Sequence, residues 1–408
     1  MKVYIIGGGA AGMMAALSAA VDPNNTVTIL ERQNRVGKKL LATGNGRCNL
    51  TNLHADVSHY HGQHPDFVKS ALHHLNVRDT LAYFRNLGLY TVAEESGKVY
   101  PLSDQANSVV DTLRFALEQR GINVITSCDV LSISKKARGF HIETTGDSYF
   151  ADKLIVTCGG CAGKGLGGTR SGYRLLGSMG HTVTELHPAL VQIKTLPDEV
   201  RSLKGVRADC AITVKANGHV IAQSAGEIQF TDFGVSGPVA FELSRAVSTE
   251  DGEMVLLLDL MRDYTEDELT AAMLQRCQTF PQMPTENLLC GMLNTRLGLQ
   301  VLKRTEIDLK EPLSARNETE IKTLSHLLKY LPFTVHGVLG MEHAQVTAGG
   351  VLTSEFRADT LESRKVPGLF AAGEVLDIDG DCGGYNLQWA WSSGYVAGKL
   401  GKLEDGKC

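Results

Sequence analysis

The first thirty residues switch hydrophobic period twice. Residues 2–6 read as a short buried strand, residues 10–21 as an alanine-rich helix and residues 26–31 as a second strand. This βαβ opening implies a parallel sheet covered on both faces. Apolar positions Phe67, Ala71, Leu75, Leu81 and Phe84 predict a helix over 66–87. Another is expected over 106–120, with a strand at 122–126. Residues 130–158 alternate as a strand meander. From about 190 to 262 the pattern is mostly short strands. From about 264 to 331 helices dominate, the first starting at Thr265 with Glu268 three residues on, a capping-box spacing. Strands return near 346–352 and 368–372, and a final helix covers about 386–400. The order predicts a split α/β domain over 1–190 and 336–408. A β-rich insertion at 191–262 and a helical one at 263–335 interrupt it.

Composition narrows the class. The chain has 408 residues, 43% hydrophobic and 21% charged, enough to bury a core and exclude general disorder. The length suits two or three domains. A net charge of −5 argues against nucleic-acid binding over the whole surface, without excluding a local basic patch. Glycine is the outlier: its 43 residues cluster, which points to backbone-lined ligand loops. The nine cysteines (Cys48, Cys128, Cys158, Cys161, Cys210, Cys277, Cys290, Cys382 and Cys408) are odd in number and irregular in spacing. Reduced thiols in a cytoplasmic protein are expected. Cys158 and Cys161 form one C-x-x-C without a second ligand pair, so no metal site is expected. Residues 3–21 are uncharged, but Gly7–Gly9 break the apolar run, against a signal peptide. No stretch reaches the 18 apolar residues of a membrane span.

Gly7-Gly8-Gly9-Ala10-Ala11-Gly12 is G-x-G-x-x-G between a strand and a helix, and Glu31 ends the next strand. In that setting Gly7 makes the turn, Gly9 admits a pyrophosphate to the backbone and Gly12 lets the helix pack on the strand. The helix N-terminus faces the phosphates, and Glu31 accepts from ribose hydroxyls. Two further glycine-rich segments follow strands, at Gly159-Gly160 and at Gly373-Glu374. The latter resembles the segment by which flavoproteins of the glutathione-reductase type hold FAD. Gly383-Gly384-Tyr385-Asn386 opens the last helix, whose free N–H groups would face the flavin edge that gains negative charge on reduction.

Residues 32–40 and 42–52, with Gly172-Tyr173, Gly180-His181, Phe230–Pro238, Thr347–Val351 and Gly383–Ala390, resemble the signature of the BaiN/RdsA-like flavoproteins. These blocks run in order along almost the whole chain. The resemblance implies a Rossmann-like FAD domain of the glutathione-reductase type with an inserted β-barrel-like and helical portion. Two departures stand out: Thr169-Arg170-Ser171-Gly172 where many members read Thr-Gly-Asp-Gly, and Cys382 where Thr is frequent. The family is similar to reductases of a conjugated C=C in steroid-like acids, to enzymes forming dihydrouridine in ribosomal RNA, and to a flavin amine oxidase.

The candidate cofactor contacts are Gly7, Gly9, Ala11, Gly12, Glu31, Arg32, Lys39, Thr43, Gly44, Asn45, Gly46, Val130, Gly159, Gly160, Gly373, Glu374, Gly384, Asn386 and Leu387. The expected cofactor is noncovalent FAD, with NAD(P)H as a transient electron donor. The candidate catalytic residues are Cys48, Arg47 and Cys382. Cys48 is a candidate proton donor with a pKa lowered by Arg47, and Cys382 the second acid; the alternatives are that Cys48 packs behind the loop, Arg47 binds the FAD pyrophosphate and Cys382 is an ordinary loop residue. The expected reaction is NAD(P)H-driven reduction of a conjugated C=C bond. Alternatives are oxidation of an amine by oxygen, or flavin binding without turnover. The substrate is ribosomal RNA or a small steroid-like acid; the residues are nearly silent between the two, and the family resemblance leans slightly to RNA. Lys194, Arg201, Lys204 and Arg207 with Arg296, Lys303, Arg304, Lys310, Arg316, Lys322 and Lys329 would supply either an RNA-facing surface or, more often for such charges, a solvated helix face. No DNA or membrane partner is expected, and oligomeric state is not readable.

Overall fold

Five runs of three to five residues build the central sheet: β1 (Lys2–Ile6), β2 (Thr26–Leu30), β3 (Asn123–Ile125), β4 (Lys153–Val156) and β5 (Leu369–Ala371). In this computed structural model, which describes residues 1–402, they lie parallel in the order β5-β4-β1-β2-β3. Cys408 lies outside the described residues. Ile5 sits opposite both Ile155 and Ile29, and all three are fully buried. A centre covered on both faces explains why these strands read as unbroken apolar runs. β4 is the last part of the stretch whose alternation predicts one meander. The strands at 130–136, 139–144 and 148–151 do form an antiparallel sheet, but β4 leaves it to pair with β1. The apolar Leu154-Ile155-Val156 suits the sheet centre better than a half-exposed hairpin.

The chain divides into two units, Met1–His187 with Ala344 onward, and Pro188–His343. In the first unit, α1 (Ala10–Ala19) follows β1, and α2 (Tyr385–Gly398) closes the fold. α2 packs on α1 through small residues. A Cβ on Gly394 would lie 2.4 Å from the Ala11 carbonyl oxygen, and one on Gly398 2.4 Å from that of Ala15. The Ser18 hydroxyl donates to Tyr395 O at 2.7 Å. The helix expected over 66–87 is two helices, Val68–His74 and Val77–Asn86. Asn76 breaks the run because its side chain caps the second, accepting from Asp79 N at 3.0 Å.

The second unit holds a closed six-stranded barrel, ordered 193–195, 234–236, 219–230, 207–216, 254–259 and 331–338. Its long hairpin turns at Asn217-Gly218, both at positive φ, the pairing a tight hairpin demands. Cys210, Ile212 and Val214 point inward at period two. Two expectations are corrected here. A helix, Pro238–Thr249, lies inside the stretch whose pattern predicts strands. Its buried Val239, Leu243 and Val247 have helical spacing, and Pro238 sits in its first turn. The strand Leu331–Val338 closes the barrel, so the helical portion expected over 263–335 ends before it. The helix Glu266–Thr279 has the full capping box between Thr265 and Glu268. The helix Glu318–Lys329 docks on it through a buried Thr270–Ser325 hydrogen bond of 2.8 Å.

Candidate active site

The turn after β1 is set by backbone against backbone. A Cβ at Gly12 would lie 1.9 Å from the Gly7 carbonyl oxygen, and one at Gly7 2.5 Å from Thr157 O. At Gly9 a Cβ would meet nothing within 4 Å, so this face of the turn is open. Gly9 caps α1 without a side-chain hydrogen bond, and the first helical bond is Met13 N to Gly9 O at 2.9 Å. The amides of the first turn therefore point toward that open face. The Glu31 carboxylate is fixed beside it, accepting from Gly8 N at 2.7 Å and Gln33 N at 2.6 Å. Backbone bonds from Ser127 to Gln33 O and from Cys128 to Glu31 O bring the buried Val130 strand alongside. Arg32 donates instead to Gly167 O at 3.0 Å. These features fit a dinucleotide: a concave backbone cradle, an uncapped helix start and a held carboxylate.

A second junction joins Lys39, Gly159-Gly160 and Gly373-Glu374. Lys39 Nζ lies 2.7 Å from Glu374 Oε2, and Thr347 N donates to Glu374 Oε1 at 2.9 Å. Thr347 Oγ1 accepts from Cys161 N and Ala162 N at 3.0 Å each. Only glycine fits at Gly160, since a Cβ there would be 2.4 Å from Thr347 Oγ1.

α2 starts at Gly384 with no side-chain cap, and its first bond is Gln388 N to Gly384 O. The Asn386 side chain clasps the preceding turn, accepting from Gly380 N at 2.9 Å and donating to Gly380 O at 2.7 Å. Leu387 is half-buried in the first helical turn. The loop 43–52 lies against this start. A Cβ on Gly384 would be 2.5 Å from Thr51 O, and Asn52 Nδ2 donates to Gly383 O at 2.9 Å. Within the loop, Thr43 donates to Leu40 O, Gly44 packs on Asn49 N, and Asn45 and Gly46 are exposed. Asn49 Oδ1 is buried without a hydrogen-bond partner, an acceptor left for a ligand.

The candidate acids sit differently from one another. Cys48 is fully buried and in the left-handed region, φ 62°. Burial pushes its thiol up to about 11, against a smaller pull from a Thr43 hydrogen bond. The lowered pKa expected from Arg47 is therefore corrected. Arg47 turns to Asp104 and Glu94 and stacks 4.0 Å over the Tyr100 ring. Cys382 is half-exposed in the loop before Gly383. None of the described cysteines is in a disulfide, and no group of three or more His, Cys, Asp or Glu among the described residues could hold a metal ion.

One cluster has no counterpart among the residues that the sequence singles out. His59 Nδ1 lies 2.9 Å from Asp381 Oδ2, and His61 Nε2 lies 2.7 Å from Asp381 Oδ1. The His59 ring stacks on Tyr385, the first residue of α2, with centroids 4.3 Å apart. The available signal was the His-x-His spacing, which puts both rings on one side of an extended segment. Its carboxylate partner lies 320 residues away.

The family model described as "HI0933-like protein Rossmann domain" matches residues 1–400. A Clostridium scindens protein named 3-dehydro-bile acid delta(4,6)-reductase is 39% identical over 98% of both chains. The ribosomal RNA dihydrouridine synthase of Escherichia coli is 32% identical over 96% of both chains. A solved 3-ketosteroid dehydrogenase from Rhodococcus jostii is similar at TM-score 0.48 and 12% identity, covering 98% of this chain and 97% of that one. No helix among the described residues is long and apolar enough to cross a membrane. The chain belongs to the HI0933-like Rossmann family and is a flavin-dependent oxidoreductase of that family.

Proposed function

We propose that the chain binds FAD noncovalently and uses electrons from NAD(P)H to reduce a C=C bond conjugated to a carbonyl in a small, steroid-like acid. The observation that carries this reading is the parallel offset of the two uncapped helices. Gly394 and Gly398 of α2 meet Ala11 and Ala15 of α1, so the helices run the same way. The start of α2 then lies about eight residues, roughly 12 Å, beyond that of α1. A dinucleotide with its pyrophosphate at α1 would carry its ring toward Gly384. Bound FAD would supply the chemistry, taking two electrons from a reduced nicotinamide and delivering them as hydride. The protein's part is placement. Gly9 and the α1 amides hold the diphosphate, Glu31 the ribose, and the α2 amides the ring edge that gains charge.

Charge pairing supports the small acid over RNA. RNA binding draws its affinity from basic side chains that displace counterions. Eight of the eleven basic residues named above are already engaged: Arg201, Lys204, Arg207, Arg316, Lys322 and Lys329 with carboxylates, Arg296 and Arg304 with backbone carbonyls. The 39% identity to a bile acid reductase points the same way. The test is anaerobic. FAD-loaded protein should bleach with NADPH or NADH and recover its colour on adding a 3-oxo-Δ4 bile acid. Recovery with protein-free ribosomal RNA instead would overturn the substrate; a protein that stays yellow with both nucleotides would overturn the donor.

A further inference from the structure

We propose that His59 is the proton donor of this site, acting with His61 through the shared carboxylate of Asp381. The inference rests on the C=C reductase reading above and names the residue that completes it.

The placement is set by backbone pairing. Tyr60–His61 pairs antiparallel with Asp379–Gly380, and Asp381 N donates to His59 O at 3.0 Å. That register puts residue 59 opposite 381, with His61 on the same side as His59. Asp381 is the loop residue that leads into Gly383-Gly384 and α2. The cluster is thus built into the turn whose helix start the flavin ring would face.

The electrostatics fix the proton positions. Burial alone would raise the Asp381 carboxyl, but hydrogen bonds from His61 and His59 outweigh it and hold it below the usual carboxylate range. An ionised carboxylate only accepts, so His59 carries a proton on Nδ1 and His61 one on Nε2. The opposite ring nitrogens, His59 Nε2 and His61 Nδ1, take no part in these bonds. The side chains are 31% (His59), 35% (His61) and 34% (Asp381) exposed, open enough to meet a substrate and to reload from solvent. One carboxylate between two imidazoles fixes the orientation of both rings. Around the pair lie Asp56, which caps the turn 57–59, Tyr60, whose hydroxyl donates to Tyr385 O, Tyr385 itself, Cys382, and Lys98 beside Gly383. Cys48, by contrast, has no exposed surface.

The substrate's π bond breaks as its β-carbon gains a hydride, two electrons and one proton that originate in the reduced nicotinamide. The electron pair moves to the α-carbon and its carbonyl. A new C–H bond forms there with the proton from His59 Nε2, leaving a neutral imidazole. Solvent then restores that proton at His59 Nε2, while the Nδ1 proton stays in its hydrogen bond to Asp381, whose other oxygen His61 holds.

The experiment compares wild type with His59→Gln, His61→Gln and Asp381→Asn, each loaded with FAD and checked for fold by its visible spectrum and Tm. Stopped-flow mixing follows bleaching by NADPH, then recovery on adding the 3-oxo-Δ4 bile acid. His59→Gln should slow recovery roughly 100-fold or more without slowing the bleaching, Asp381→Asn should slow it less, and His61→Gln least. A second readout needs no substrate: the midpoint potential of bound FAD against pH. The curve of His59→Gln should part from that of wild type. Recovery at the wild-type rate in His59→Gln, or its loss in Cys48→Ala alone, overturns the proposal. A wild type that never recovers with this acid sinks the substrate reading instead; superimposable potential curves then overturn the histidine assignment as well.

Discussion

The two helix starts are alike in composition and differ in what holds them. At α1 the constraints are mostly local, Gly12 on Gly7 and Glu31 on Gly8, with one from the neighbouring strand end, Gly7 on Thr157. At α2 they are imported. Thr51 presses on Gly384 and donates to Gln388 Oε1 at 2.6 Å, across 337 residues of sequence. Gln388 Nε2 reaches the Thr80 hydroxyl at 2.8 Å and Leu75 O at 3.1 Å. The first start is a turn held mainly by its own residues and by the end of β4. The second exists only after the loops have assembled.

The sharpest way to break this contrast is at the first turn. Gly12→Ala places a methyl against a carbonyl that Thr157 Oγ1 also holds at 2.9 Å. A loss of about 3 kcal/mol in stability and a colourless protein are expected, by urea unfolding and visible absorption. Gly9→Ala, at φ −80° with open space around it, should leave stability within about 0.5 kcal/mol of wild type. It should weaken FAD binding roughly tenfold or more, equivalent to about 1.4 kcal/mol. Full FAD affinity in Gly9→Ala would mean that the open face is not the phosphate face. At the second start, Gly384→Ala meets both positive φ (102°) and Thr51 O at 2.5 Å. A stability loss of about 2 kcal/mol is expected, with a shifted flavin spectrum and unchanged ADP affinity. Parallel losses of ADP and flavin binding would show that the two starts are one device.

This contrast also explains what the sequence disclosed. The βαβ opening, the fingerprint glycines and the Thr265–Glu268 box are patterns that lie within about thirty residues of sequence, so spacing reveals them. The helix Pro238–Thr249 is readable too, from Val239, Leu243 and Val247, but the strands on either side favour period two. The strand Leu331–Val338 could not be assigned locally, because its partners are residues 193–195 and 254–259. His59, His61 and Asp381 are three ordinary polar residues until a two-residue bridge brings them together. Neither the burial of Cys48 nor the turning of Arg47 toward Asp104 and Glu94 has a sequence pattern, since both follow from how the loop folds on residues 94–104.

A smaller effect tests the part of the first unit that touches neither start. Glu355 is held at about 2: burial pulls it up, but Lys365, Thr182 and His181 together pull it down further. His181 is buried on Phe356, and burial lowers its pKa, so it is neutral and donates from Nδ1 to Glu355. Both groups bind protons more readily in the unfolded chain, so both make stability fall with acid. For His181 the loss begins as pH drops through the ordinary histidine range. For Glu355 it runs from about 4.5 down to about 2. Glu355→Gln should flatten the lower part of the stability–pH curve while the flavin spectrum stays unchanged. An unaltered slope between those limits would mean that the Lys365 and Thr182 hydrogen bonds do not persist in solution.

The smallest effects belong to the second unit, where charges are paired on the surface instead of gathered at a site. Lys322 and Glu318 meet at 2.7 Å and Lys204 and Asp232 at 2.9 Å, all of them largely exposed. Exposed pairs contribute little to stability because water and salt screen them. Replacing Lys204, Arg207 and Lys322 together by alanine should leave Tm and reduction of the bile acid unchanged. Ribosomal RNA is the discriminating ligand, because every phosphate that a basic side chain ceases to neutralise lowers the salt dependence of binding by nearly one charge. Pre-paired lysines have little potential left to displace counterions, so RNA binding should be weak and its salt slope should not move. A slope that falls by two or three would show that these pairs open for phosphate, and the second unit would then be the substrate-binding half of an RNA enzyme.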